Sequence, residues 1–229
     1  MQNFEMSNVE RLILKRRLAR KKRTRNLIIS FLAIVFAVFC VMGITIYKNN
    51  GSLFEKKLNV KTTVVPHYVD VQLINLGFAR TGVKLIKIKN IVIHYVGNPG
   101  STAQNNRDFF NKPTTEVSSH FVVGLDGEIV QCLPIDEKSN ASNNRNIDTI
   151  SIEVCHPDSS GKFTDATYNS LLKLTAWLCD NSNLKSKDVI RHYDITGKVC
   201  PKYFVDNESK WQKFLEDVNS EITKIKAPA

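Results

Sequence analysis

Between positions 27 and 47 the chain carries no charged residue, and this gap of 21 positions is its most consequential absence. At 1.5 Å rise per residue a helix of that length spans about 31 Å, the thickness of a bilayer core, so the segment is predicted to cross a membrane as one helix. A cleaved signal peptide is the competing reading. The apolar run exceeds the 7 to 15 residues usual for such a leader, and Tyr47-Lys48-Asn49-Asn50 is a poor small-residue cleavage site. Acidic residues are scarce ahead of the span. Only Glu5 and Glu10 stand against Arg11, Lys15, Arg16, Arg17, Arg20, Lys21, Lys22, Arg23 and Arg25, so positions 1–26 hold +7 of the net +10. With +3 left for the other 203 residues, the charge does not describe a nucleic-acid binder, and no nucleic-acid partner is expected. A basic cluster beside a span is retained on the cytoplasmic side against anionic headgroups, which turns the long C-terminal part outward. Cysteines number five, and an odd count argues against a disulfide framework. Cys132, Cys155 and Cys179 each sit in an apolar stretch and read as buried thiols, while Cys40 lies in the span. No repeat or low-complexity tract is present, which removes repeat arrays from consideration.

What is present is enough for one sizeable domain within 229 residues. The organisation predicted is a basic cytoplasmic tail over 1–26, a transmembrane helix over 27–47, a short polar tether over 48–70 and a mixed α/β domain over 71–229. In that domain Ile91-Val92-Ile93-His94-Tyr95-Val96 reads as a strand buried on both faces and ended by Gly97-Asn98-Pro99-Gly100. Ser101 is a candidate cap for a short helix through Phe110. His120-Phe121-Val122-Val123 and Glu128-Ile129-Val130-Gln131 flank Asp126-Gly127 as a hairpin does, and Thr149-Ile150-Ser151-Ile152-Glu153-Val154 alternates as a β-branched strand. Thr164 can cap a helix with Tyr168, Leu171, Leu172, Thr175 and Leu178 at the 3.6 period. A further helix from near Asn207 places Trp211, Phe214, Leu215, Val218, Ile222 and Ile225 on one face.

Two histidines and one cysteine carry the chemistry. His94 ends a strand, while His192 and Cys200 lie eight positions apart on one connection. Three nitrogen or sulfur ligands with a fourth position open is the arrangement of a catalytic zinc, whereas a structural site is closed by a fourth protein ligand. A hydrolase follows if the three meet in space. A structural zinc site would need another ligand, and the spacing of His156 does not support it in that role.

At these blocks the chain resembles the zinc-dependent N-acetylmuramoyl-L-alanine amidases of the type-2 amidase family, whose fold also serves phage lysozyme-type amidases and peptidoglycan recognition proteins. The resemblance rests on Ile93-His94-Tyr95, on Ser118-Ser119-His120-Phe121-Val122-Val123 with Asp126-Gly127, on Ile150-Ser151-Ile152-Glu153, and on the run from Arg191-His192-Tyr193-Asp194 to Lys198-Val199-Cys200-Pro201. It implies a single mixed β-sheet flanked by helices, with His94, His192 and Cys200 as ligands to Zn2+. It further implies Glu153 as the catalytic carboxylate, Lys198 as a cationic residue near the metal, and peptidoglycan as substrate. The bond cut would join N-acetylmuramic acid to the L-alanine of the stem peptide, by an enzyme of the cell membrane that faces the wall. His120 would be a packing residue or one that stands behind the metal ligands. Two departures stand out. Ser119 replaces the tyrosine that many relatives carry before the block's histidine, which leaves the proton transfer to Glu153, and Ser139-Asn140-Ala141-Ser142 replaces an aromatic-His-Ala-Gly stretch. A membrane-anchored, non-catalytic module that binds or senses peptidoglycan is the alternative. Such members typically lose a metal ligand, often the cysteine, and Cys200 is retained.

Overall fold

The computed structural model describes residues 8–50 and 58–227, and the chain forms two units, Met1–Lys56 and Lys57–Ala229. Residues 1–7 of the predicted tail and 51–57 of the predicted tether lie outside the described residues, as do the side chains of 43–47 at the end of the predicted span. The described residues of the first unit form a single helix, α1 (Asn8–Asn50). It is longer than the predicted 27–47 because the basic tail is built of good helix formers and has no proline or glycine from 8 to 42. Within it Lys15–Met42 is long and apolar enough to cross a membrane, and none of that stretch is buried within the protein. Leu27, Ile28, Phe31, Phe36 and Phe39 are all exposed, so from Leu27 to Met42 the helix is apolar all round and has no single apolar stripe.

The second unit is built on six strands: β1 (Val69–Val71), β2 (Asn90–Ile93), β3 (Phe121–Val123), β4 (Ile129–Gln131), β5 (Thr149–Val154) and β6 (Val189–Arg191). Their order across the sheet is β1-β4-β3-β5-β2-β6, with only β3 and β4 antiparallel. This is the single mixed sheet expected. The hairpin around Asp126-Gly127 forms, and Gly127, at φ +85°, adopts the left-handed conformation such turns ask of glycine.

Alternation along the strands sorts the core into two layers. Phe121, Val123, Ile129, Ile150, Ile152, Ile91 and Ile93 join one cluster with residues of α3 (Asp165–Asn181) and α6 (Glu208–Lys226). Val122 and Val130 face the other way, against Ala103 and Phe110 of α2 (Ala103–Phe110). Thr164 caps α3 by accepting from Thr167 N–H at 3.0 Å. The cap of α2 is Thr102 rather than Ser101. Thr102 and Asn105 exchange side-chain to backbone bonds in a capping box, while the Ser101 hydroxyl donates to Asn98 O.

Beyond β6 the chain forms two short helices, α4 (Tyr193–Thr196) and α5 (Lys202–Asp206). Phe204 of α5 is fully buried, 5.3 Å from the Phe214 ring and 5.4 Å from Trp211. Burying a side chain of that size contributes about 1.5–3 kcal/mol, which anchors the segment that carries Lys198 and Cys200. Arg191 completes the anchorage, with Asp194 at 2.9 Å and Glu208 at 2.6 Å as the partners a largely buried guanidinium requires.

Residues 58–70, predicted as part of a polar tether, instead lie against the domain. Leu58, Val60, Val65 and Tyr68 pack on the larger core cluster, and Asn59 donates to Ile88 O and Ser182 O while accepting from Ile88 N–H. Apolar residues scattered among lysines and threonines mask this packing in the sequence.

Candidate metal centre and catalytic site

The sheet order sets β5, β2 and β6 side by side and parallel, so their carboxyl ends open on one edge, where ligand sites of such sheets form. His94 follows β2 and its N–H donates to Ile152 O at 2.9 Å; His192 follows β6 and its N–H donates to Ile93 O at 3.2 Å. Glu153 comes one step beyond the in-register pair Ile93 and Ile152. Cys200 arrives by a returning loop, closed by Tyr193 N–H donating to Cys200 O at 2.9 Å. Gly197 turns that loop at φ +76°, a left-handed helix cap with its N–H on Tyr193 O.

These elements bring His94, His192 and Cys200 together, with one ligand atom of each within 4.8 Å of the others. The two rings lie 4.7 Å apart, and Cys200 Sγ is 3.9 Å from His94 Nδ1. Ligands bound tetrahedrally to one zinc at about 2.0–2.3 Å stand about 3.4–3.6 Å apart, so a small inward adjustment suffices. Among the described residues this is the group of histidine, cysteine and carboxylate side chains drawn close enough to hold a metal, and His156 is not in it.

Electrostatics favour the same reading. Burial pushes His94 well below the usual imidazole range, helped by His192 and Lys198; His192 is lowered by burial and by Lys198. Both rings are therefore neutral at physiological pH, the form that ligates. Burial pushes the Cys200 thiol up to about 12, against a Tyr95 backbone N–H bond and the Lys198 charge that both favour the thiolate. A thiol of that kind loses its proton to solvent near neutrality only when a cation binds the sulfur in its place. Glu153 is pushed up to about 8 by burial, with Lys198 acting in the opposite direction. Its Oε2 is buried without a hydrogen-bond partner, an orphaned acceptor at the edge of the cluster. Lys198 is itself exposed, and its charge reaches all four groups.

The remaining candidates sit apart from this chemistry. His120 is fully buried and lowered to about 4; its Nδ1 accepts from Ser151 N–H at 3.0 Å and Nε2 lies 2.8 Å from Glu137 O. Ser119 is buried too, and its hydroxyl donates to Ser151 O at 2.9 Å. The Asn140 amide is committed to Phe78 O at 3.0 Å and Glu116 O at 2.9 Å. Ser142 and Asn143, by contrast, touch the rings of His94 and His192, which sequence reasoning did not anticipate.

The family described as N-acetylmuramoyl-L-alanine amidase matches residues 84–203, more than half of the chain and a range that holds all five candidate site residues. The chain belongs to this amidase family. It is 30% identical over 174 residues to the N-acetylmuramoyl-L-alanine amidase CwlL of Bacillus licheniformis, covering 69% of this chain and 47% of that one. The amidase domain also superposes on the catalytic domain of XlyA, with a TM-score of 0.58, 27% identity, and coverage of 66% of this chain and 98% of that one. A mutant endolysin from Bacillus subtilis gives a TM-score of 0.58 at 29% identity, over 66% of this chain and 97% of its own. The chain spans about half the length of the curated amidases it matches.

Proposed function

We propose that this chain is a membrane-anchored, zinc-dependent N-acetylmuramoyl-L-alanine amidase that cleaves the bond between N-acetylmuramic acid and L-alanine of the peptidoglycan stem peptide. The observation that carries the reading is the meeting of two neutral histidines and a cysteine, with the half-buried Glu153 close enough for its charge to act on Cys200 and its Oε2 buried without a hydrogen-bond partner. Two imidazoles and a sulfur suit zinc among biological cations, and three protein ligands leave a position for water or substrate. His94, His192 and Cys200 would hold the ion. When bound, zinc lowers the pKa of water and polarises the scissile carbonyl.

The protein's own groups perform the proton and charge handling. Glu153 takes the proton of the attacking water and returns it to the leaving amine of L-alanine. Its high proton affinity suits that exchange, and a nearby cation would lower that affinity and favour the ionised carboxylate that takes the proton. The Lys198 ammonium stabilises the oxyanion that develops at the attacked carbonyl. Ser119 has no part, its hydroxyl being buried and committed to Ser151.

Full-length chain in detergent, incubated with purified peptidoglycan, should release new N-terminal alanine, and a chelator should abolish the release. Binding to the wall without new amino termini would exclude the amidase reading and leave a recognition module.

For location, the basic residues of 1–26 against the uncharged run behind them support a cytoplasmic tail, one span, and an amidase domain facing the wall. Protease added to wall-stripped cells should digest the domain and spare a tag at the N-terminus. Protection of the domain would reverse the topology and remove the wall as substrate.

A further inference from the structure

Behind the ligand histidines stand two side chains that neither the metal nor the reaction calls for directly. Asn143 Oδ1 accepts from His192 Nε2 at 3.0 Å, and Ser142 Oγ lies 3.4 Å from His94 Nε2. We propose that Asn143, assisted by Ser142, is a positioning residue for the metal, holding the proton of each ligand ring on Nε2 so that Nδ1 presents its lone pair. The inference rests on the zinc reading above.

A neutral imidazole has one donor and one acceptor nitrogen, so an oxygen acceptor at Nε2 decides which nitrogen is free. In His94, with the Ser142 hydroxyl accepting at Nε2, the free nitrogen is Nδ1, the one 3.9 Å from Cys200 Sγ. Partners of this kind orient ligand rings and raise their basicity, and their loss commonly costs 10- to 100-fold in metal affinity.

Asn143 has no packing reason to point inward. It is exposed, and it holds φ +53°, shared among the described non-glycine residues only with Asn183 at a positive value. Asparagine tolerates that conformation better than most residues, and a strained backbone persists only where its surroundings impose it. Here the surroundings are explicit. Asn146 Oδ1 accepts from Ala141 N–H at 3.1 Å and Ser142 N–H at 2.6 Å, and Arg145 donates to Asp148 at 2.7 Å and Asn90 at 2.6 Å. Thr149 Oγ1 donates to Arg145 O at 2.8 Å. Asn90 and Thr149 are paired in register at the start of β2 and β5, the two strands that lead to His94 and Glu153. The loop and the ligands thus share one foundation.

The test measures zinc dissociation from the full chain in detergent by competition with a chromogenic chelator. Asn143→Gly removes the oxygen while accepting the positive φ, and Asn143→Asp keeps an oxygen at the same place. Asn143→Gly should weaken zinc binding 10- to 100-fold, Asn143→Asp should restore it to within threefold of the parent or tighter, and Ser142→Ala should show a smaller loss. The thermal midpoint of the metal-stripped chain should be the same in Asn143→Gly as in the parent. Affinity within twofold of the parent in Asn143→Gly, while His192→Ala loses zinc, overturns the positioning role and leaves the metal reading standing. Equal losses in the Gly and Asp variants, or a lowered metal-free midpoint in Asn143→Gly, also overturn it. A parent that binds no zinc removes both readings together.

Discussion

Replacing Cys200 by serine or His192 by alanine should strip zinc from the protein and, with it, the stabilisation that binding confers. A ligand that binds only the folded state stabilises it by about 2.7 kcal/mol at one hundred times its Kd, so the parent's thermal midpoint should fall on chelation while those of the two variants should not move. Binding must also displace the proton of a thiol that burial has pushed up to about 12. Apparent affinity should therefore rise about tenfold per pH unit through neutrality in the parent, because one proton leaves for each ion bound. Elemental analysis and thermal unfolding, each with and without chelator, check both points. One zinc per chain retained in both variants would remove this site.

Glu153→Gln should separate chemistry from binding. Turnover is expected to fall by roughly 10² or more, the scale of general acid and base catalysis, with zinc retained. Stability should move the other way. The folded carboxyl of the metal-free chain titrates at about 8 against an ordinary 4.5, so the folded state holds a proton that the unfolded state has released between those values. Stability is then fully present below about 4.5 and declines by about 1.4 kcal/mol per pH unit as pH rises toward 8. Glutamine carries no such titration. Metal-free Glu153→Gln should be more stable than the parent at pH 8, and the gap should close by pH 4. A variant that cleaves peptidoglycan at the parental rate, or that is the less stable of the two at pH 8, would place the base elsewhere.

The amount of this architecture legible from residues alone varies with how local its causes are. β5 and α3 announce themselves, the first through six consecutive positions of alternating β-branched character, the second through Thr164 and a regular apolar period. β1 spans three residues with one buried, too short to carry a period, and α5 is a single turn held by Phe204 reaching into the core. That His94, His192 and Cys200 meet was readable because motif and spacing coincide in them. Asn143 was not, since its reason for being there is a ring 49 positions away in the chain. The Asn140 departure resolves into packing. Its amide ties two backbone carbonyls, so this side chain serves the loop.

The attachment of residues 58–70 limits where the amidase-family domain can be parted from α1. Thr62 N–H donates to Asn181 Oδ1, Asn181 Nδ2 returns a bond to Thr62 O, and Lys61 N–H donates to Asn181 O. Asn59 satisfies both the N–H and the C=O of the fully buried Ile88 at the approach to the strand that delivers His94. Severing the chain at 71 would leave those interior amide groups without partners, at about 1–3 kcal/mol each, and would bare the core beneath Leu58, Val60, Val65 and Tyr68. A cut that leaves the domain's fold whole, by a protease in the cell or by design in the laboratory, falls before residue 58.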